Sequence, residues 1–428
     1  MKKSTIQLHD IKVENNKVIY DYSYSSDLKI YFKNKEKLYV TYDFEVSAIP
    51  KSILAIPWLA NFITISWFSG CTIIIDEIDD DFLECLEILK KSFAEEHVVI
   101  LAKNSNLIVN KSIKNTYAVD KEAMLFSGGL DAWTTFLKHK EKKLDLITIQ
   151  GSDIELGNVE KMNLIRNSYQ ENSLLTGLPV HFIASNFRDF HTRHLEKLIY
   201  FNYVDWWTMV QFGIVLTAST APLAYYYGFS NVFIASSLNE KEDMVWGSSK
   251  LDNHIKFGNT TITHDGQEFN RFQKTEFVVK HVDNLDKTFP LRVCYKHNFS
   301  GLNCGKCAKC LRMIISLILK NKDPNDFGFN VNKNVYDLIF NQLTNSSFGF
   351  REYAFWQEID SEINNNIEFY VFENEKEEKE KEEKEKILHI SSLFNKINAN
   401  FPSKTFKIKR LKNKLRNKWL LWKVKNIL

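Results

Sequence analysis

The sequence predicts an α/β fold organised around a parallel sheet, with an N-terminal α+β accessory domain and a four-cysteine zinc-binding element. Three observations predict it. Short apolar runs at residues 123–126, 144–149, 180–183 and 232–235 alternate with helical stretches, the rhythm of strand-helix-strand units that assemble a parallel sheet. A Ser-Gly-Gly turn follows the first run directly. Four of the six cysteines crowd into residues 294–310, which is metal-ligand clustering rather than a disulfide framework.

A chain of 428 residues with 44% hydrophobic content can bury a substantial core and suits two or three domains. Its 56 Lys and Arg face 53 Asp and Glu, a formal charge of +3. That balance gives no global argument for a polyanionic partner, so any basic surface is local. The N-terminal residues lack the apolar run and small-residue cleavage site of a secretory signal. Together with the clustered thiols this sets the expectation of a cytoplasmic protein.

Residues 1–118 read as the accessory domain. Strand-like runs at 17–24 and 37–44 precede a helix around 81–93. Residues 52–75 carry no charge and are long enough to cross a bilayer. Pro57, Asn61, Ser66, Ser69 and Gly70 interrupt them, and the β-branched stretch 72–75 reads as a buried strand. A core segment is therefore expected there and no transmembrane span.

The catalytic domain is assigned to residues 119–325. Ligands of parallel sheets lie at the carboxyl ends of the strands, which makes the turn after Phe126 the informative one. Ser127, Gly128, Gly129, Leu130, Asp131 and Ala132 link that strand to a helix beginning near Trp133. Amides at a helix N-terminus attract anions. Adjacent glycines let the chain approach a phosphate, Ser127 offers a hydroxyl, and Asp131 offers a carboxylate for Mg2+. The bland alternative is a plain strand-to-helix turn. A Walker loop is excluded, because the one Gly-Lys pair, Gly305-Lys306, lies among the cysteines.

Cys304, Cys307 and Cys310 are spaced by two residues each, and Cys294 lies nine intervening residues upstream. Four thiolates close a tetrahedral structural zinc site, and Gly305 permits the turn between the first two ligands of the run. An iron-sulfur run would carry a fourth cysteine and a proline shortly after the third, whereas Leu311-Arg312-Met313 follows here.

The stretch SGGLDA after AMLF resembles the SGGxDS signature of the N-type ATP pyrophosphatases, with Ala132 in place of the last serine. Adding the cysteine spacing and Arg312 just after it, residues 120–320 resemble 7-cyano-7-deazaguanine synthase and its homologues. The resemblance implies an adenine nucleotide alpha hydrolase-like (HUP, Rossmann-like) domain that binds ATP and Mg2+ and holds Zn2+ as a structural ion. It also implies activation of a carboxylate by adenylation, release of AMP and pyrophosphate, and formation of an amide or nitrile. The family's tyrosine-proline-aspartate-cysteine-arginine stretch is missing, so a different carboxylate, on a small molecule or a protein, is expected. Ala132 and that missing stretch keep open a nucleotide-binding partner protein without turnover. A tRNA-modifying enzyme of the same class is the further alternative.

Residues 246–274 are polar and read as a substrate loop. Arg271 and Lys274 lie one helical turn apart and fit either catalytic neutralisation of pyrophosphate or a solvated helix face. His254 and His264 fit proton transfer or local hydrogen bonding. Gln150 and Gly151 end the second strand and fit either a border to the nucleotide or ordinary turn chemistry. Trp206 and Trp207 read as core.

Residues 326–370 form a helical extension, and residues 371–388, nearly all charged, read as a linker. Residues 389–428 are a basic tail, without acids from Lys396 on, in which Leu411, Leu415, Trp419 and Trp422 recur at helical spacing. This tail and the N-terminal domain are the surfaces available to a protein partner; the tail fits an acidic partner, nucleic acid phosphate, an anionic membrane or a plain solvated helix.

Overall fold

The computed structural model describes residues 3–400 apart from 34–36, 98–100, 200–204, 238–246, 284, 286–287, 297–298, 346–349, 364–371 and 373–377. The expected parallel sheet is there, as part of a larger one. The strands are β1 (Thr5–Glu14), β2 (Lys17–Tyr24), β3 (Tyr39–Thr41), β4 (Thr72–Asp79), β5 (Asn106–Ile113), β6 (Lys121–Leu125), β7 (Asp145–Gln150), β8 (Val180–Ser185), β9 (Phe229–Ala235), β10 (Lys256–Phe257) and β11 (Thr260–Asp265). They form one sheet in the order β10-β11-β9-β6-β7-β8-β3-β2-β1-β4-β5.

From β11 to β8 every pairing is parallel. Numbered within that block, β8-β7-β6-β9-β11 has the 3-2-1-4-5 order of doubly wound sheets, whose ligand crevice opens where the order reverses. Here that point lies between β6 and β9, at the turn after β6. The topology, independently of any motif, thus aims at the Ser-Gly-Gly turn.

The N-terminal region mixes helices and strands, and it extends the same sheet rather than forming a sheet of its own. β3 pairs antiparallel with β8 through Val40 opposite Ser185 and Thr41 opposite Ala184. The seam is fastened by Asn186, 1% exposed, which accepts from the Tyr39 amide at 2.9 Å and donates to the Lys37 carbonyl at 2.9 Å. Buried Ser185 adds a hydroxyl bond to the Tyr39 carbonyl at 2.6 Å. One apolar core therefore runs from Ile6 through Phe93 and on to Ile262.

The uncharged stretch 52–75 splits into two helices and a strand. Helix Ile56–Ser69 is buried on nearly every side and stops where Gly70 adopts φ +78°, the left-handed cap that glycine tolerates. Among the described residues no helix is long and apolar enough to cross a membrane.

A second core covers the other face. It packs helices Leu130–Lys138, Val159–Gln170, Arg271–Val282 and Ala308–Ile318 with the C-terminal helices Val335–Asn345, Phe350–Ile363 and Glu378–Asn400. The last of these corrects the linker expectation, since the charged segment is helical from Glu378 onward. Glu and Lys favour helix, Lys386 pairs with Glu382 one turn away at 2.7 Å, and Ile387, Ile390 and Phe394 supply a buried stripe. The basic tail from residue 401 lies outside the described residues.

The expected substrate loop is also corrected. Trp246 lies outside the described residues, but beyond it the chain forms helix Ser249–Asp252, strands β10 and β11, and the start of helix Arg271–Val282. The β-branched run Thr260 to Thr263 alternates buried and exposed positions, a strand pattern within a polar-looking segment. His264 sits in β11 and bonds buried Asp252 at 2.9 Å, which ties helix to strand.

Candidate functional site

The turn after β6 is built from three local requirements. The Phe126 amide donates to Ile147 at 2.7 Å, and the Phe126 carbonyl accepts from the Thr148 hydroxyl at 2.7 Å, which fixes the end of the strand. Gly128 has φ +70°, and a Cβ there would lie 3.2 Å from the Tyr169 ring. Gly129, extended, caps the nine-residue helix Leu130–Lys138, and a Cβ on it would stand 3.2 Å from the Arg292 carbonyl. The first-turn amides of that helix point back along its axis.

This turn opens into a cavity of about 680 Å³, within the range of small-molecule sites. Ser127, Gly129, Leu130, Asp131 and Ala132 form one wall, and Ser152, Asp153 and Ile154 form the neighbouring edge. Gln150 and Gly151 stand just outside it. Gln150 donates to the Glu155 carbonyl at 2.8 Å, and a Cβ on Gly151 would fall 1.8 Å from the Ser185 carbonyl oxygen, so their evident work is to shape the turn that carries Asp153.

Asp131 binds both residues that the sequence singled out on the later helix. Arg271 Nη1 donates to Oδ2 at 3.2 Å and Lys274 Nζ to Oδ1 at 3.1 Å. Lys274 is buried and also donates to the Ser236 carbonyl at 2.5 Å. Burial works to raise the Asp131 carboxyl, but Arg271 and then Lys274 outweigh it and hold it below the usual carboxylate range. The i, i+3 pair thus faces the turn and not the solvent.

Sequence reasoning missed three further cations, Arg188, Arg292 and Lys309, and gave Arg312 no place in the site; all four line the cavity. Arg292, Lys309 and Arg312 lie in or beside the cysteine segment. Arg292 is nine-tenths buried. Its amide donates to the Gly128 carbonyl at 2.8 Å and its Nε to the Ser127 carbonyl at 2.8 Å.

The four cysteines converge as expected. Their sulfurs lie within 4.8 Å of one another, with separations of 3.5 Å for Cys307 to Cys310, and 3.8 Å for both Cys294 to Cys307 and Cys304 to Cys310. A tetrahedral ion with sulfur at about 2.3 Å requires edges of about 3.8 Å, so the group can hold a metal ion such as zinc. The Cys310 thiol donates to Cys307, which lowers the Cys307 thiol while it raises that of Cys310. Buried Asn303 organises the loop, accepting from the amides of Val293 and Cys294. Cys294 itself forms part of the cavity wall.

No family model, curated protein or solved structure matches the chain. The cavity lining also includes the apolar and aromatic side chains of Trp207, Phe212, Leu216, Ile149 and Ile234. Trp207 stacks on Phe187 with an interplanar angle of 8° and takes the Arg188 guanidinium at 5.0 Å from its centroid. Trp206 and Trp207 both belong to the buried core, as expected, and Trp207 also lines the cavity. The lining so combines several cations with a flat aromatic face.

Proposed function

We propose that the chain is an ATP-dependent ligase of the N-type ATP pyrophosphatase class, resembling 7-cyano-7-deazaguanine synthase, that adenylates a carboxylate and forms an amide or nitrile. The carrying observation is the Gly128-Gly129 turn at the reversal point of the sheet, opening on a cavity rich in Arg and Lys. Phosphates suit the helix N-terminus and those cations, and a planar base suits the aromatic part of the lining.

In this reading the substrate carboxylate attacks the α-phosphorus and pyrophosphate leaves. Ammonia or another nucleophile then attacks the acyl carbon and AMP leaves, giving the amide; a nitrile requires a second ATP to adenylate the amide oxygen, which departs with AMP as the nitrogen loses its two protons. Arg271, Arg292, Lys309 and Arg312 neutralise the departing phosphates, and fixed charges of this kind supply most of such catalysis. Asp131 orients Arg271 and Lys274. The carboxylates available to magnesium in the wall are Asp131, Asp153 and Asp205. The first is engaged by two cations and the last by Thr208, which leaves Asp153 for the ion. Zinc at the four cysteines would be structural, fixing the segment that bears Arg292, Lys309 and Arg312.

The test is incubation with ATP, Mg2+, ammonium and a panel of carboxylates, followed by nucleotide chromatography and mass spectrometry. AMP with pyrophosphate, and a carboxyl-to-amide or carboxyl-to-nitrile mass change, are expected. ADP as product, or no ATP binding, overturns the reading. Ala132, 3% exposed, favours one second reading: a nucleotide-binding partner protein that binds ATP and leaves it intact.

A further inference from the structure

Arg271 and Arg312 come from different helices, Arg271–Val282 and Ala308–Ile318, and converge on one ring. Phe355, on helix Phe350–Ile363, lies 5.4 Å from the Arg271 guanidinium and 4.8 Å from that of Arg312, measured to the ring centroid. The ring is 9% exposed. Cation–π attraction holds each guanidinium against it, and the ring body keeps two like charges apart. On the same helix Glu352 accepts from Arg312 Nη1 at 2.6 Å, and Gln342 Nε2 steadies the same carboxylate oxygen at 3.2 Å.

Among the described residues the charges around this cluster nearly balance: Arg188, Arg271, Lys274, Arg292, Lys309 and Arg312 gather against Asp131, Asp153, Asp205, Glu352 and Glu358. A guanidinium has five N–H donors. Arg312 commits one of them to Glu352, and Arg271 commits one to Asp131 with a long 3.5 Å approach to the Ser237 carbonyl. Among the described residues, guanidinium donors of Arg271 and Arg312 therefore remain beyond these bonds, suited to an anion with several oxygens.

We propose that helix Phe350–Ile363 completes a diphosphate subsite, in which Glu352 and Phe355 are positioning residues that aim Arg312 and Arg271 into the cavity. The proposal rests on the ATP-binding reading above. It adds that the C-terminal extension, which lies beyond the region of family resemblance, belongs to the phosphate machinery and is not a separate appendage.

The experiment is calorimetric titration of the full metal-loaded chain with inorganic pyrophosphate and, separately, with AMP. Wild type, Glu352→Gln and Phe355→Leu are compared, with thermal melting as a check on folding. The isosteric Glu352→Gln keeps the packing if Phe355→Leu fails to fold. Both variants should weaken pyrophosphate about tenfold, the effect of a charge-assisted hydrogen bond, and leave AMP affinity within about twofold. Unchanged pyrophosphate affinity in Glu352→Gln overturns the subsite while leaving ATP binding intact. Equal loss of pyrophosphate and AMP also overturns it, since that marks a general collapse of the cavity. A wild type that binds neither ligand removes this proposal and the ATP reading together.

Discussion

Arg292 Nε donates to the carbonyl oxygen of Ser127 at 2.8 Å, so a residue two positions before a cysteine of the four-thiol cluster holds the glycine turn in shape. The Arg292 amide repeats the contact at Gly128. Arg292→Ala keeps the amide bond and loses the side-chain one. ATP affinity should fall about tenfold to a hundredfold, the range for a lost charged hydrogen bond, with Arg292→Lys intermediate. Filter binding or calorimetry reads the change.

The same coupling governs metal removal. The chain as purified should carry about one zinc per molecule, measurable by colorimetric release with a thiol-modifying reagent. Stripping the ion, or Cys307→Ser, should lower the melting temperature and weaken ATP binding together. Loss of stability with unaltered ATP affinity would show that the cysteine segment does not support the turn.

Gly128→Ala tests the turn directly. The φ of +70° costs a residue with a Cβ about 1–2 kcal/mol, and the Tyr169 ring adds crowding at 3.2 Å. A melting shift of a few degrees and a marked loss of nucleotide affinity are expected. Gly151→Ala should be far worse for folding, because its Cβ would collide with backbone at Ser185.

Asp131→Asn leaves Lys274, whose side chain is 1% exposed, without its counter-charge. A cost of about 2–4 kcal/mol follows from stranding a buried cation. In wild type the folded carboxyl lies below its unfolded value. Its contribution is therefore complete above the unfolded value of about 4 and disappears as pH falls through the folded one. Denaturant midpoints across acid pH should show a shallower decline in the Asn variant.

His191 gives a second acid-sensitive term with the same sign. Its Nε2 bonds Gln211 Oε1 at 3.2 Å, while Gln211 Nε2 donates to Asn61, so His191 carries its proton on Nε2 and is neutral. Burial pulls the imidazole down to about 4. An unfolded histidine, near 6.5, takes up its proton earlier, so stability is lost as pH falls from about 6.5 to 4, by roughly 3 kcal/mol in all. His191→Leu should flatten that interval relative to wild type.

Local pattern made much of this legible. β2 spans the 17–24 run, and the four later apolar runs fall on β6, β7, β8 and β9, because strands buried between helices need uninterrupted apolar residues. The cysteines and the glycine turn were legible because their spacing is itself the chemistry. The union of β3 with β8 was not. It depends on the side-chain amide of Asn186 meeting residues 147 and 149 positions away, and no local window contains that. Arg292 and Lys309 were missed for a related reason, since an isolated cation has no period. The Glu and Lys run looked unstructured because Ile387, Ile390 and Phe394, which anchor it, fall at or beyond its end.

The stitch at Asn186 has a practical corollary for anyone dissecting the chain. A fragment starting at residue 119 would bare the outer flank of β8, leaving ladder donors and acceptors unmatched beside a stripped apolar face, a recipe for intermolecular strand pairing. Residues 1–118 thus shield the parallel block of the sheet, and expressing the remainder alone should give insoluble material.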